Sequence, residues 1–256
     1  MHAALVVFLL AVIFFLTAVI SVVTGGTSLI TVPVMMQCGI DAHVAVATNM
    51  LALIFLSLGG TVPFIQGQVI PRKRLPALTG LTLAGSFLGA FFLLAVPSKD
   101  MPIVVASAML VVLIFSLIKR DMGLSKAPNS SSRSLEITGY IATFALGVYG
   151  GFFSGGYVAL LTVAYVVFFR MTFTEAVAIT KVLNFFSSLI ATAIFACQGI
   201  VDWKLGLLLS AVSFAGAVLG ATLARRLNDL WLRRIFLTTV VVLALKLFCD
   251  AARASN

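Results

Sequence analysis

The stretch that decides the fold is GVYGGFFSGGYVALLTVAYVVFFRMTFTEAVAITKVLN, Gly147 to Asn184. It begins in apolar sequence and breaks over Gly150-Gly151-Phe152-Phe153-Ser154-Gly155-Gly156. It resumes as an apolar run to Phe169, turns at Arg170-Met171-Thr172, and re-enters an apolar phase that contains Lys181. Two features here are costly at membrane depth. Paired glycines inside a membrane-length segment free backbone N–H and C=O groups, which is tolerated only inside protein or along a cavity. A lysine seven residues beyond Thr174 is the second, because intramembrane charges are rare and mark functional positions. Both fall in one stretch, which reads as half of a binding site.

The rest of the chain supplies the setting. Of 256 residues, 61% are hydrophobic and 10% are charged; mean hydropathy is +1.17. Soluble domains carry about 25% charged residues, so this is an all-α polytopic membrane protein. The net charge of +9 would suggest nucleic acid in a soluble protein. Here the basic residues lie between apolar segments, where they orient loops toward the cytoplasm. No basic residue precedes the apolar N-terminal run, so the first segment is expected to stay rather than be cleaved. Cys38, Cys197 and Cys249 have no metal spacing and read as membrane-edge or packing residues.

Apolar runs long enough to span a bilayer follow in order. Ala3 to Val23 breaks at Thr24-Gly25-Gly26-Thr27-Ser28, and a shorter run follows from Leu29 to Met36. Spans are then expected over Ala42–Ile65, Leu75–Val96 and Met101–Ile118, before a polar linker from Lys119 to Ser134. The second half repeats the plan with Leu135–Tyr149, the break, Tyr157–Phe169, and spans over Thr174–Ala196, Trp203–Ala224 and Leu230–Phe248. The organisation is therefore 1–118 as one repeat, 119–134 as a cytoplasmic linker, and 135–250 as the other repeat. Landmarks recur at a nearly constant offset. Gly25-Gly26 matches Gly155-Gly156 at 130, Thr48 matches Thr180 at 132, and Gln66-Gly67 matches Gln198-Gly199 at 132. Ala84 to Ala90 matches Ala215 to Ala221 at 131. Its glycines, Gly85, Gly89, Gly216 and Gly220, form small-xxx-small patterns that read as ordinary close packing of helices in lipid.

Charge decides whether the halves are parallel or inverted. If each broken segment crosses once, 10 basic residues face 6 across the membrane. If each is a hairpin returning to its own side, the halves are inverted. Then Arg72, Lys73, Arg74, Lys119, Arg120, Lys126, Arg133, Arg170, Arg225, Arg226, Arg233 and Arg234 share one side. Lys99, Lys204, Lys246 and Arg253 take the other, which is 12 against 4. The positive-inside rule favours the second reading, with both termini outside. Two inverted repeats, each a broken helical hairpin followed by three transmembrane helices, are a common transporter plan. The first arms are long for half-membrane helices.

A short helix is expected to start after each break, at Thr27-Ser28 and at Tyr157. Helix N-termini offer free N–H groups and a positive dipole end, and small residues let an anion approach. Thr24, Gly25, Gly26, Thr27, Ser28, Ser154, Gly155, Gly156 and Tyr157 are the candidates at the breaks. The alternative is that the glycines merely allow tight crossing. The next helix in each half adds Thr48-Asn49 and Thr180-Lys181 with Asn184; Thr180 and Asn184 share a face. Here too a structural reading stands beside the functional one. Lys181 could snorkel to the cytoplasmic edge, and Asn49 could join helices. Asp41, Asp100, Glu136, Glu175, Asp202 and Asp229 all sit near segment ends, and His43 is read as an edge residue. Without buried carboxylates, a lysine and helix N-termini suit an anion better than a cation. No metal site or cofactor is expected.

The Gly-Gly break followed by an apolar run and Pro33, the Ala47-Thr48-Asn49 helix, the Gln-Gly span ends and their second-half echo resemble the TauE/SafE sulfite exporter family of bacterial membrane proteins. The resemblance covers about residues 5 to 248. It implies an inner-membrane secondary transporter, not an enzyme, exporting a small sulfur-containing anion such as sulfite or an organosulfonate like sulfoacetate. Ala164 or Tyr165 stands near the place that Pro33 holds in the first half, so the half-sites are expected to be unequal. Two other readings remain open: a proton-coupled importer of the same anions with Lys181 as titrating group, and a membrane enzyme or assembly factor. The last needs a metal or nucleophile constellation inside the spans. Expected partners are the anion and the lipid bilayer, with a homodimer allowed and no nucleic acid.

Overall fold

The computed structural model describes residues 2–66, 73–101, 103–105, 107 and 133–225. The expected spans Met101–Ile118 and Leu230–Phe248, the linker residues 119–132, and Cys249 lie wholly or largely outside them. Helices account for the ordered elements: α1 (His2–Thr24), α2 (Ser28–Gln37), α3 (Ala42–Gln66), α4 (Leu75–Ala95), α5 (Arg133–Phe152), α6 (Tyr157–Phe168), α7 (Phe173–Cys197) and α8 (Trp203–Arg225). Among the described residues, α1, α3, α4, α7 and α8 are long and apolar enough to cross a membrane, while α2 and α6 are short apolar helices.

Local sequence sets the boundaries. Thr172 caps α7 by accepting from the Glu175 N–H at 3.2 Å, and the Glu175 carboxylate accepts from the Thr172 N–H at 2.8 Å. This reciprocal capping box satisfies two orphan donors of the first turn. Asp41 accepts from His43 N–H and opens α3, and Asp202 accepts from Leu205 N–H in the first turn of α8. The expected edge residue His43 does stand at a helix start, but it is buried: its ring nitrogens meet Ser98 Oγ at 2.9 Å and Leu93 O at 3.2 Å. Cys38 and Cys197 sit at helix ends as free thiols.

The second break is narrower than the sequence suggests. Gly150 and Gly151 lie inside α5, and the chain leaves the helix only over Phe153 to Gly156. A glycine in a helix interior costs only about 1 kcal/mol, and here its missing Cβ serves proximity. A Cβ on Gly151 would stand 2.2 Å from Ser86 O, and one on Gly150 would stand 2.9 Å from the Tyr157 ring.

Helix contacts occur in crossed pairs. α4 packs on α5 and α8 on α1; α3 packs on α8 and α7 on α4; α3 and α7 pack on each other. The small-xxx-small glycines make the first of these. A Cβ on Gly85 would lie 2.5 Å from Phe144 O and one on Gly89 1.9 Å from Val148 O. In the other pair, a Cβ on Gly216 would lie 2.6 Å from Phe15 O and one on Gly220 2.2 Å from Val19 O. Contacts that recur with the two partners exchanged are the mark of a two-fold relation. α3 sits at the centre, with 83% of its span buried, against 28% for α1, whose Leu5, Phe8, Leu9, Leu16 and Ile20 face outward.

Candidate functional site

The two breaks meet at the centre of this arrangement. Gly25 has φ +67, a left-handed conformation that a side chain would strain. A Cβ there would lie 2.7 Å from both Ala159 N and Val158 Cβ, so the first break rests on the first turn of α6. Gly155 returns the contact: its Cβ would lie 2.9 Å from Leu29 Cδ2 in the first turn of α2. Each short helix thus starts against the other half's break. No side chain caps the N-terminus of α2 or of α6.

Lys181 enters from α7. Its side chain is 1% exposed and its Nζ donates to Ser21 O at 3.0 Å. The same carbonyl accepts from Gly25 N–H at 2.7 Å. Thr27 donates to the Ser21 hydroxyl in a short hydrogen bond. One turn along α7, Asn184 donates to Ser57 Oγ at 2.6 Å and accepts from Ser154 Oγ at 3.3 Å. Ser154 itself has φ 63, uncommon for a residue with a side chain. Lys181 has three N–H donors, and the Ser21 carbonyl that accepts from it is neutral. It forms no ion pair among the described residues, where Arg74–Glu136 is the salt bridge found. A buried cation without a counter-charge is costly, and an anion beside it would offset that cost.

Around these groups lies a small pocket lined by Gly25, Thr27, Ser28, Leu53, Leu56, Ser154, Val158, Lys181 and Asn184. Its lining combines hydroxyls, an amide and an ammonium group with the apolar Leu53, Leu56 and Val158. No carboxylate lines it. Its free interior is about 10 Å³, the scale of a single water.

The sequence-derived candidates divide. Gly25, Thr27, Ser28, Ser154, Lys181 and Asn184 line the pocket. Gly26 and Gly155 are buried behind it, their carbonyls taken by Leu29 N–H and the Tyr149 hydroxyl, and Gly156 precedes α6 with φ +76. Tyr157 is buried, and its hydroxyl has no hydrogen-bond partner among the described residues. Asn49 stays within its own half, donating to Ser28 Oγ at 2.9 Å and accepting from Thr31 Oγ1 at 2.7 Å. Thr48 turns away and accepts from Asp202 N–H, and Thr180 donates to Val177 O beside Thr162. The Thr24 side chain lies outside the described residues. Sequence reasoning did not single out Ser21, Ser57, Leu53, Leu56 or Val158. Ser57 carried a weak signal, two turns beyond Asn49 on the same helix; Ser21 acts through its backbone and carried none. Among the described residues no group of three His, Cys, Asp or Glu could hold a metal ion.

The chain also has known relatives. A family model described as "Sulfite exporter TauE/SafE" matches residues 9–247. The chain is similar to a probable membrane transporter protein, ORF9, of Sinorhizobium sp., with 28% identity over 231 residues, 88% of this chain and 86% of that one. It is also similar to a probable membrane transporter protein of Haemophilus influenzae, with 25% identity over 88% of both chains. The probable membrane transporter protein YfcA of Escherichia coli K12 is 26% identical over 89% of this chain and 84% of its own. No solved structure matches.

Proposed function

Because the chain belongs to the TauE/SafE sulfite exporter family and is a multi-pass membrane transporter rather than an enzyme, we propose that it exports a small sulfur-containing anion, sulfite or an organosulfonate such as sulfoacetate. The pocket between the two breaks is the transport site in this reading. The observation that carries it is the convergence of Lys181, Ser154, Thr27 and Ser28 on one pocket without a carboxylate. Lys181 supplies the charge partner. The Ser28 hydroxyl, which only accepts from Asn49, donates to a remaining oxygen, Thr27 and Ser154 do so once turned from Ser21 and Asn184, and the apolar lining accommodates the rest of the molecule.

In this reading the two halves are inverted, both termini lie outside and the protein sits in the bacterial inner membrane; the charge count of 12 against 4 supports that orientation. The sequence carries no nucleotide-binding loop. An inside-negative membrane potential, worth about 2.3 kcal/mol per charge per 100 mV, drives an anion outward. The test is a binding screen of sulfite, sulfoacetate, taurine, sulfate and thiosulfate on purified protein, followed by efflux from proteoliposomes under an imposed potential. Binding of none of the five, or flux that ignores the potential, rejects the reading.

A further inference from the structure

We propose that Arg74, Glu136 and Phe169 form a latch between the two halves that holds the pocket closed; the inference rests on the pocket being the transport site. The pocket interior has room for about one water, less than an anion of several heavy atoms needs. A wall must therefore move. The wall most directly tied to both halves is α6, whose first turn lies on Gly25. α6 has 12 residues, so it is a rod of about 18 Å. What restrains its far end restrains the pocket.

That far end is clamped. Phe169, just past α6, lies under the Arg74 guanidinium, with Cζ 5.1 Å from the ring centre. Arg74 precedes α4, in the first half. Its Nε and Nη2 donate to Glu136 Oε1, in the first turn of α5, at 3.0 and 2.7 Å. Tyr140 and Tyr165 pack their rings against Phe169 at 5.3 Å each. Gly139 makes room for it: a Cβ there would stand 2.6 Å from the ring. The chain then turns through Arg170 at φ 57. Both charged side chains are about one-third exposed, at 32% and 34%, so water reaches the pair and it opens at small cost.

The repeat supplies the contrast. At offsets of 131 and 130, the counterparts of Arg74 and Glu136 are Leu205 and Val6, half-buried apolar residues packed on the main core. The ion pair is thus not duplicated, and the two ends of the molecule close by different chemistry.

The test reads access to the pocket without substrate. In the full chain with Cys38, Cys197 and Cys249 changed to serine, Ser154→Cys places a thiol on the pocket wall. Its reaction with a hydrophilic thiol reagent is timed in inside-out and right-side-out vesicles. Glu136→Gln and Arg74→Gln should each raise the rate at least threefold from one face only. The exchanged pair Arg74→Glu/Glu136→Arg should return it to the starting value. Phe169→Leu, which keeps apolar volume but removes the ring, should raise the rate with the ion pair intact. Unchanged rates in the single variants, or an exchanged pair as fast as either single, overturn the latch. Failure of the parent protein to bind any anion sinks the transport reading instead and leaves the labelling result standing.

Discussion

The Nζ of Lys181 lies 3.0 Å from the carbonyl oxygen of Ser21, 160 residues earlier in the chain. The contact joins the central helix of the second half to the last turn of the first helix. It gives the lysine a structural duty beside the proposed one, because a cation at a helix C-terminus is favoured by the dipole, here as a second donor to a carbonyl that Gly25 N–H already reaches. Separating the two duties requires a substitution that keeps one and removes the other.

Lys181→Gln does so. It keeps an N–H donor, one atom short of the lysine's reach, but the charge is gone. Anion affinity should fall tenfold or more, which is about 1.4 kcal/mol, while thermal stability in detergent changes little. Lys181→Arg should retain part of the affinity. Calorimetry at low salt measures both, and equal affinity in Lys181→Gln and the parent protein would show that the lysine only caps α1.

The breaks are tested by bulk. Gly25 combines φ +67 with a would-be Cβ 2.7 Å from Ala159 N, so Gly25→Val strains the backbone and pushes α6 away. Gly156→Leu meets a left-handed φ of 76 at the start of α6. Both should abolish anion binding, with the chain still inserted in the membrane. Normal binding by both variants places the site elsewhere.

Glycine's role at the crossings can be read against an internal control. Gly89→Ala and Gly220→Ala set a methyl 1.9 and 2.2 Å from backbone carbonyls, and overpacking of this kind costs about 1–3 kcal/mol. Gly80, also in α4, has nothing within 4 Å of the added methyl. Gly80→Ala should be neutral or stabilise by about 0.5–1 kcal/mol. The order of melting temperatures in one detergent checks all three.

The proposed topology rests on the charge count of 12 against 4. A cysteine placed at Ser131 should resist an impermeant thiol reagent in intact cells and react in inside-out vesicles. Reaction in intact cells reverses the orientation.

Helix existence and order were legible from apolar run length, since lipid exposure demands it along α1, α4 and α8. So was the convergence of the breaks, because Gly25-Gly26 and Gly155-Gly156 recur at a fixed offset with hydroxyls beside them. What each glycine is for was not legible. Gly150 and Gly151 looked like a break and proved to be contact surfaces, and the letter G does not distinguish a positive φ from a close neighbour. Nor could sequence tell that Asn49 and Lys181, equivalent in the repeat, would differ. Asn49 is short enough to end on α2 of its own half, while the lysine stem reaches α1 of the other.

The crossed seating of Gly25 on α6 and of Gly155 on α2 also sets a schedule for biosynthesis. At roughly 5–20 residues per second, the Ser21 carbonyl waits about 8–32 s for residue 181 to be made. For most of that time the first half stands in the bilayer with its own break unsupported, because α6, which seats on that break, is made only with residues 157–168. Neither half alone can therefore assemble a pocket, and newly made chains stay inert until the second break has emerged and docked.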